Sequence, residues 1–361
     1  NTMKAIAIAA GLVMLLAGCS KGSPTGQPTT SPDNGPTTST PVGPTQPPPD
    51  TPTVGSAPAA LLPGDRYVAL ATALRHRGVA IWWETDLVKR WLDGPAAFEG
   101  AIARLGQLAS VPGTAGFKIS DEIGYGDGLT SPAQATDFLR QAKSGLAKVA
   151  PGKQVLVDAV VPELGCLPWR GGNQEGCAQR VRLKYPAASA AAVESYLRAH
   201  LIDRLDLSTG LLSPATYAGW GLDQHTAQAE IWSRVRAQGW ESLTTLQSRK
   251  ALAAADGYQG SAAQAATDTA TYIAAPVSAG AQAVDIWTWR QHYQGKVFSL
   301  LPPDLGTNPL WTSLIQERRL GVRLITHMTP SMMPTDTAAF GHECDLAAQA
   351  FTAVFVAAGT G

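Results

Sequence analysis

Five acids punctuate the apolar, β-rich runs of this chain: Glu84, Glu122, Asp158, Asp206 and Asp285. Two carboxyl groups facing each other across a cleft can cleave a glycosidic bond. One protonates the leaving oxygen, and the other attacks or activates water. Trp82, Trp287 and Trp289 share those runs. Flat aromatic faces pack well on apolar surface while their edges stay polar, which suits the faces of a sugar ring. The stretch GFKISDEIGYGDG (116–128) concentrates the question, because it spends the end of a strand on two adjacent acids.

Elements that could position these acids follow from the pattern. Candidate strands are 79–84, 116–122, 154–161, 201–208, 242–247, 283–289 and 322–327. Helical periodicity fills 96–110, 131–149, 188–200, 225–238, 261–279 and 308–319, and an amphipathic stretch, 342–357, closes the chain. Ser131-Pro132 reads as a helix cap followed by proline in the first turn. Such alternation predicts a parallel sheet covered by helices. An open doubly wound sheet competes, but no GxGxxG turn follows an early strand. The expected fold is α/β: a (β/α)8 TIM-type barrel over 59–361, with seven clear strands and an eighth, weaker one within 351–357.

In a barrel one side of each strand meets the helices and the other faces the axis. Apolar residues on the helix side then turn Trp82, Glu84, Lys118, Glu122, Asp158, Arg204, Asp206, Asp285, Trp287, Trp289, Arg323 and His327 inward. Active sites of such barrels lie at the C-terminal strand ends. Glu122 is therefore the expected catalytic acid, with Asp158 or Asp206 as its partner. Glu84 would orient substrate or tune a neighbouring carboxyl. Trp82, Tyr125, Trp287, Trp289, Arg290, His292 and His327 would contact it. The plainer reading pairs the acids with Lys118, Arg204 and Arg323 in a polar interior and lets the indoles fill the barrel. Asp285 fits that structural role best.

The N-terminal segment lies outside this scheme. MKAIAIAAGLVMLLAGCS (3–20) carries one lysine and a short apolar run, too short for a spanning helix. LAGC followed by Ser resembles the lipobox of bacterial lipoproteins, which implies a signal peptide over 1–18 and lipid on Cys19. Residues 19–58 are rich in Pro, Thr, Gly and Ser and predict a disordered tether. Cys166 and Cys177 bracket a loop-like segment and read as a disulfide outside the reducing cytosol. Cys344 is left as a small buried residue.

With these pieces in place, 66–361 resembles a glycoside-hydrolase (β/α)8 barrel on a lipoprotein tether. GFKISDE, LVDAVVPELGC and DIWTWRQHY carry that resemblance. No particular glycosidase family is matched: neither Glu after strand four with Glu after strand seven nor DxxDxDxE is present. The resemblance implies a lipid-anchored, extracytoplasmic monomer acting on a glycan or small saccharide. A saccharide-binding lipoprotein using the same pocket without turnover is the alternative. Hydrophobic residues make up 45% of the chain and the formal net charge is zero. Nucleic acid thus has no electrostatic support as a partner. No cofactor is expected, metal dependence is unsupported although His327 with Asp285 could bind a metal ion weakly, and the GxSxG elbow of serine hydrolases is missing.

Overall fold

The computed structural model describes residues 64–167, 174–240 and 245–357. The expected signal segment, Cys19, the tether 19–58 and Trp169 lie outside the described residues. The strands are β1 (Ala80–Glu84), β2 (Thr114–Lys118), β3 (Gln154–Val160), β4 (Arg204–Ser208), β5 (Thr245–Ala251), β6 (Ala254–Ala255), β7 (Ala283–Tyr293), β8 (Lys296–Ser299), β9 (Leu324–Met328) and β10 (Ala353–Ala357). Hydrogen bonding runs in the order β5-β4-β3-β2-β1-β10-β9-β7, and β7 pairs back onto β5. All of these pairings are parallel, so the ring closes as a (β/α)8 barrel. The weak last strand is present: the stretch expected as one amphipathic run divides into the helix Thr337–Ala350 and β10.

Local signals account for the helices. Ser131 Oγ accepts from the Gln134 N–H at 3.1 Å, and Pro132 opens the helix Pro132–Val149. A helix that periodicity left undetected, Arg66–Arg75, precedes β1 and is capped by Asp65.

Alternation separates two apolar compartments. Ile81, Trp83, Phe117, Val155, Val157, Leu205, Leu207, Val284 and Ile286 face the helices. Trp82, Leu156, Ala283, Ile325, Ala353 and Phe355 form a separate cluster inside the ring. A Cβ at Gly116 would sit 2.6 Å from the Trp82 ring and 2.2 Å from the Gln154 carbonyl oxygen, so only glycine fits beside this plug.

Two boundaries depart from expectation. β2 ends at Lys118 instead of running to Glu122. β7 outlasts the barrel, turning at Gln294-Gly295, both at positive φ, to pair antiparallel with β8. That turn signal was there to be read: a glycine-containing pair between Tyr293 and Lys296. β7 is also irregular against β9. Its register steps from Ile286↔Thr326 to Arg290↔Met328, four residues against two. The Trp287–Thr288 peptide within this step is cis.

Candidate active site at the barrel mouth

Four of the five acids are delivered by different strands to one level of the barrel. Glu84 ends β1, Asp158 lies on β3, Asp206 on β4 and Asp285 on β7, with Lys118 closing β2 and His327 on β9. Lys118, 1% exposed, holds the first group together. Its Nζ lies 2.8 Å from Glu84 Oε1, 2.7 Å from Asp158 Oδ2 and 4.0 Å from Asp121 Oδ1. His327 holds the other side. Nδ1 is 2.8 Å from Glu84 Oε2 and Nε2 is 2.8 Å from Asp285 Oδ2. Both oxygens of Glu84 are thus engaged, each by a different base. Thr288 Oγ1 donates to the His327 carbonyl and Thr326 Oγ1 to that of Ile286, which ties β7 to β9 at this level.

Charge follows from these contacts. Burial alone would strip the His327 proton, but Asp285 and Glu84 outweigh it and push the imidazole up to about 9. It is therefore an imidazolium at neutral pH, with both nitrogens donating. Burial would likewise favour a neutral Glu84, yet the Lys118 ammonium and His327 hold its carboxyl well below the usual range. Asp206 is the opposite case: burial, then Asp285 and Asp158, push its carboxyl well above the usual range. Like charges at this spacing cannot all ionise. Carboxylate oxygens of Asp158, Asp206 and Asp285 lie within 4.8 Å of one another. Among the described residues Lys118 pairs with Asp158, and His327 with Asp285.

Exposure sorts the expected site residues. Asp158 and Asp206, expected as partners of Glu122, are both 0% exposed and lie beneath the mouth. Glu84 keeps 19% of its side chain in solvent and Asp121 keeps 27%, so these two acids of the network reach the opening. Glu122 does not point inward from a strand end. It sits half-buried on the loop after β2 at φ 59, where its carbonyl accepts from the Tyr125 N–H. Its charge still falls at the rim. Burial first, then Glu122 and Asp121, raise the Tyr293 hydroxyl pKa; Tyr125 is raised by burial, by Tyr185 and by Glu122. Tyr125 stacks near Tyr185, with ring centroids 4.2 Å apart.

The three tryptophans part company. Trp82, 4% exposed, belongs to the interior plug and packs on Phe355, away from the mouth. Trp287 is half-buried, donates to Gln291 Oε1 at 2.9 Å, and meets Tyr293 and Phe298 of the β7–β8 hairpin at 5.5 and 5.8 Å. Trp289 corrects the alternation. Past the β7 irregularity it turns to the helix layer, packs on Trp311 and Phe351, and donates to Glu343 Oε1 at 2.7 Å. Arg290 also goes to Glu343, and to the Met332 carbonyl at 3.0 Å, so it is not presented to the opening. His292 is half-buried on the hairpin. His327, expected to contact substrate, is instead the buried bridge between Glu84 and Asp285.

Glu343, Tyr293, Phe298 and Tyr185 were not anticipated. Lys118 does pair with the acids, but Arg204 and Arg323 do not: they stand at the N-terminal strand ends. The Cys166–Cys177 disulfide is present, with Cα atoms 5.7 Å apart, and Cys344 is buried and free. Among the described residues no helix is long and apolar enough to cross a membrane.

No protein-family model and no curated protein matches the chain. Among solved structures it is similar to a protein of Burkholderia cenocepacia J2315 described as a phosphonomutase, at 13% identity and TM-score 0.37, over 81% of this chain and 92% of that one. A protein of Toxoplasma gondii ME49 described as a deoxyribose-phosphate aldolase gives 13% and 0.40, over 81% and 94%. The carboxyl transferase domain of Rhizobium etli pyruvate carboxylase gives 14% and 0.38, over 86% and 47%. At these scores the likenesses carry no argument about chemistry. The class, a (β/α)8 barrel, rests on the closed ring of parallel strands.

Proposed function

We propose that this chain is a glycoside-hydrolase-type barrel enzyme, lipid-anchored through Cys19 on the outer side of the membrane, acting as a monomer on a glycan at the barrel mouth. The observation that carries the reading is Glu84. It ends β1 at the mouth, keeps solvent contact, and is held ionised by Lys118 and His327. An ionised carboxylate fixed through both oxygens can stabilise or trap the positive charge that develops on a sugar as its glycosidic bond breaks. Glu122, on the neighbouring rim, serves as the proton donor to the leaving oxygen. Trp287, with Tyr293 and Phe298 behind it, gives the sugar a flat face to stack on, and Tyr125 and His292 offer polar contacts.

Hydrolysis of a panel of aryl glycosides and envelope polysaccharides tests this. Glu84→Gln and Glu122→Gln should each lower turnover by about 10²–10⁴-fold, with sugar binding retained. Undiminished turnover in both variants would remove the assignment.

The alternative, saccharide capture without turnover, draws on a specific feature. Asp158, Asp206 and Asp285 are sealed and compensated inside the barrel, leaving few carboxyls at the surface. Calorimetric binding of oligosaccharides by a wild-type chain that cleaves none of them would favour it.

A further inference from the structure

The end of the barrel opposite the mouth has a charge pattern that the reading above does not use. Connections that feed the N-terminal strand ends carry the exposed cations Arg75, Lys148, Arg198, Arg319 and Arg323. Backbone contacts place them there: the Val284 N–H donates to the Arg323 carbonyl where β7 begins, and the Arg75 stem covers Gly113 beside β2. Near the axis, Arg204 opens β4. Its guanidinium lies 5.8 Å from the Trp82 ring centroid, and its Nε donates to Gln154 Oε1 at 2.9 Å. Burial first, then repulsion from Arg323, lowers the Arg204 pKa, so the two guanidiniums feel each other.

Compensating acids are scarce on this face. Asp203 is taken by Lys143 and the Val155 N–H, and Arg198 is paired with Glu194 at 2.7 Å. Among the described residues no carboxylate lies within ion-pair distance of Arg204, Arg318, Arg319 or Arg323. Arg318 Nε is buried and has no acceptor. Beside it a cavity of about 440 Å³ opens between the end of helix Pro309–Arg319 and helix Thr337–Ala350, lined by Ile315, Arg318, Arg319 and Gln349. Basic residues in last helical turns are favoured by the helix dipole, which explains Arg75, Lys148, Arg198 and Arg319. It does not explain Arg204 or Arg323, which belong to strand starts. An uncompensated set of guanidiniums around an open groove is the surface an anionic oxygen ligand neutralises.

We infer that the N-terminal face of the barrel docks on an anionic phospholipid surface, with the groove at Arg318 and Arg319 seating a headgroup phosphate. Arg204 and Arg323 supply the positive centre of that face. The partner follows from the charge layout: the whole chain has zero net charge, yet these cations gather at one end while Glu84, Asp121 and Glu122 mark the other. Docking by this end leaves the mouth turned away from the bilayer. The inference rests on the reading of Cys19 as lipidated. A Pro/Thr-rich chain of that tether's length spans roughly 35 Å or more, enough for the barrel to turn this face to the membrane.

The test uses the full chain carrying Cys19→Ser, so that no lipid contributes. It should co-sediment with vesicles containing phosphatidylglycerol, not with pure phosphatidylcholine, and be released by salt. Arg319→Gln with Arg323→Gln, both on exposed positions, should weaken partitioning by roughly 25-fold, about fivefold per charge. Equal binding to both vesicle types, no binding to either, or an unaltered double variant with unchanged circular dichroism would each overturn the inference. So would saturable binding of inorganic phosphate without vesicle association, which would mark a free-anion site. Metabolic labelling of Cys19 with palmitate tests the anchor separately. Absence of label would fail the lipoprotein reading without altering the vesicle result.

Discussion

The two ends of this barrel treat charge in opposite ways. At the mouth the buried charges are paired: Lys118 sits between Glu84 and Asp158, and His327 between Glu84 and Asp285. At the opposite end Arg204 and Arg323 repel each other at the strand starts, and among the described residues no carboxylate pairs with either. The difference teaches what each end can do. A compensated network is stiff and sets the ionisation of one exposed member, which is what a chemical site needs. An uncompensated one lowers its energy by recruiting an anion, which is what a docking face needs.

The largest break in that contrast comes from Lys118→Met. It leaves Glu84 and Asp158 without their shared cation, and unfolding in urea should show a loss of about 3–5 kcal/mol. The next sharpens it through pH. The His327 imidazole, pushed up to about 9 against an ordinary 6.5, contributes stability that is complete below its unfolded value and is lost as pH rises through the folded one. The raised Asp206 carboxyl has the same sign, its contribution being lost as pH rises above its ordinary value. Unfolding free energy should therefore fall by roughly 1–3 kcal/mol between about pH 6.5 and 9.5, and His327→Gln should flatten that slope. Arg323→Gln marks the small end of the scale. It relieves repulsion on an exposed position, so stability should change by no more than about 0.5 kcal/mol, with any change upward and largest at low salt.

Much of the barrel was legible because period two is enforced by burial on the helix side. Phe117, Val157 and Leu207 face outward as read, which fixes Lys118, Asp158 and Asp206 inside without further information. Alternation stopped being a guide where backbone regularity stopped. β2 ends four residues before Glu122, and the β7 step against β9 sends Trp289 to the helix layer. Pairings between distant elements were invisible as well. Nothing in DIWTWRQHY announces that Glu343, on the helix before β10, will claim both Trp289 and Arg290. Nor could sequence say how high along the axis each inward residue stands. That level is what separates Arg204 and Arg323 from the acids they were expected to meet.

Trp82, Leu156 and Phe355 fill the ring between its two charged ends. Oil in that position makes the barrel a stopper instead of a conduit. The groups that shift Glu84 and His327 all lie at the mouth, and the charge that shifts Arg204 lies at the opposite end. Substitutions at Arg204 or Arg323 are therefore expected to leave the ionisation of Glu84 unchanged, which titration of the two variants checks.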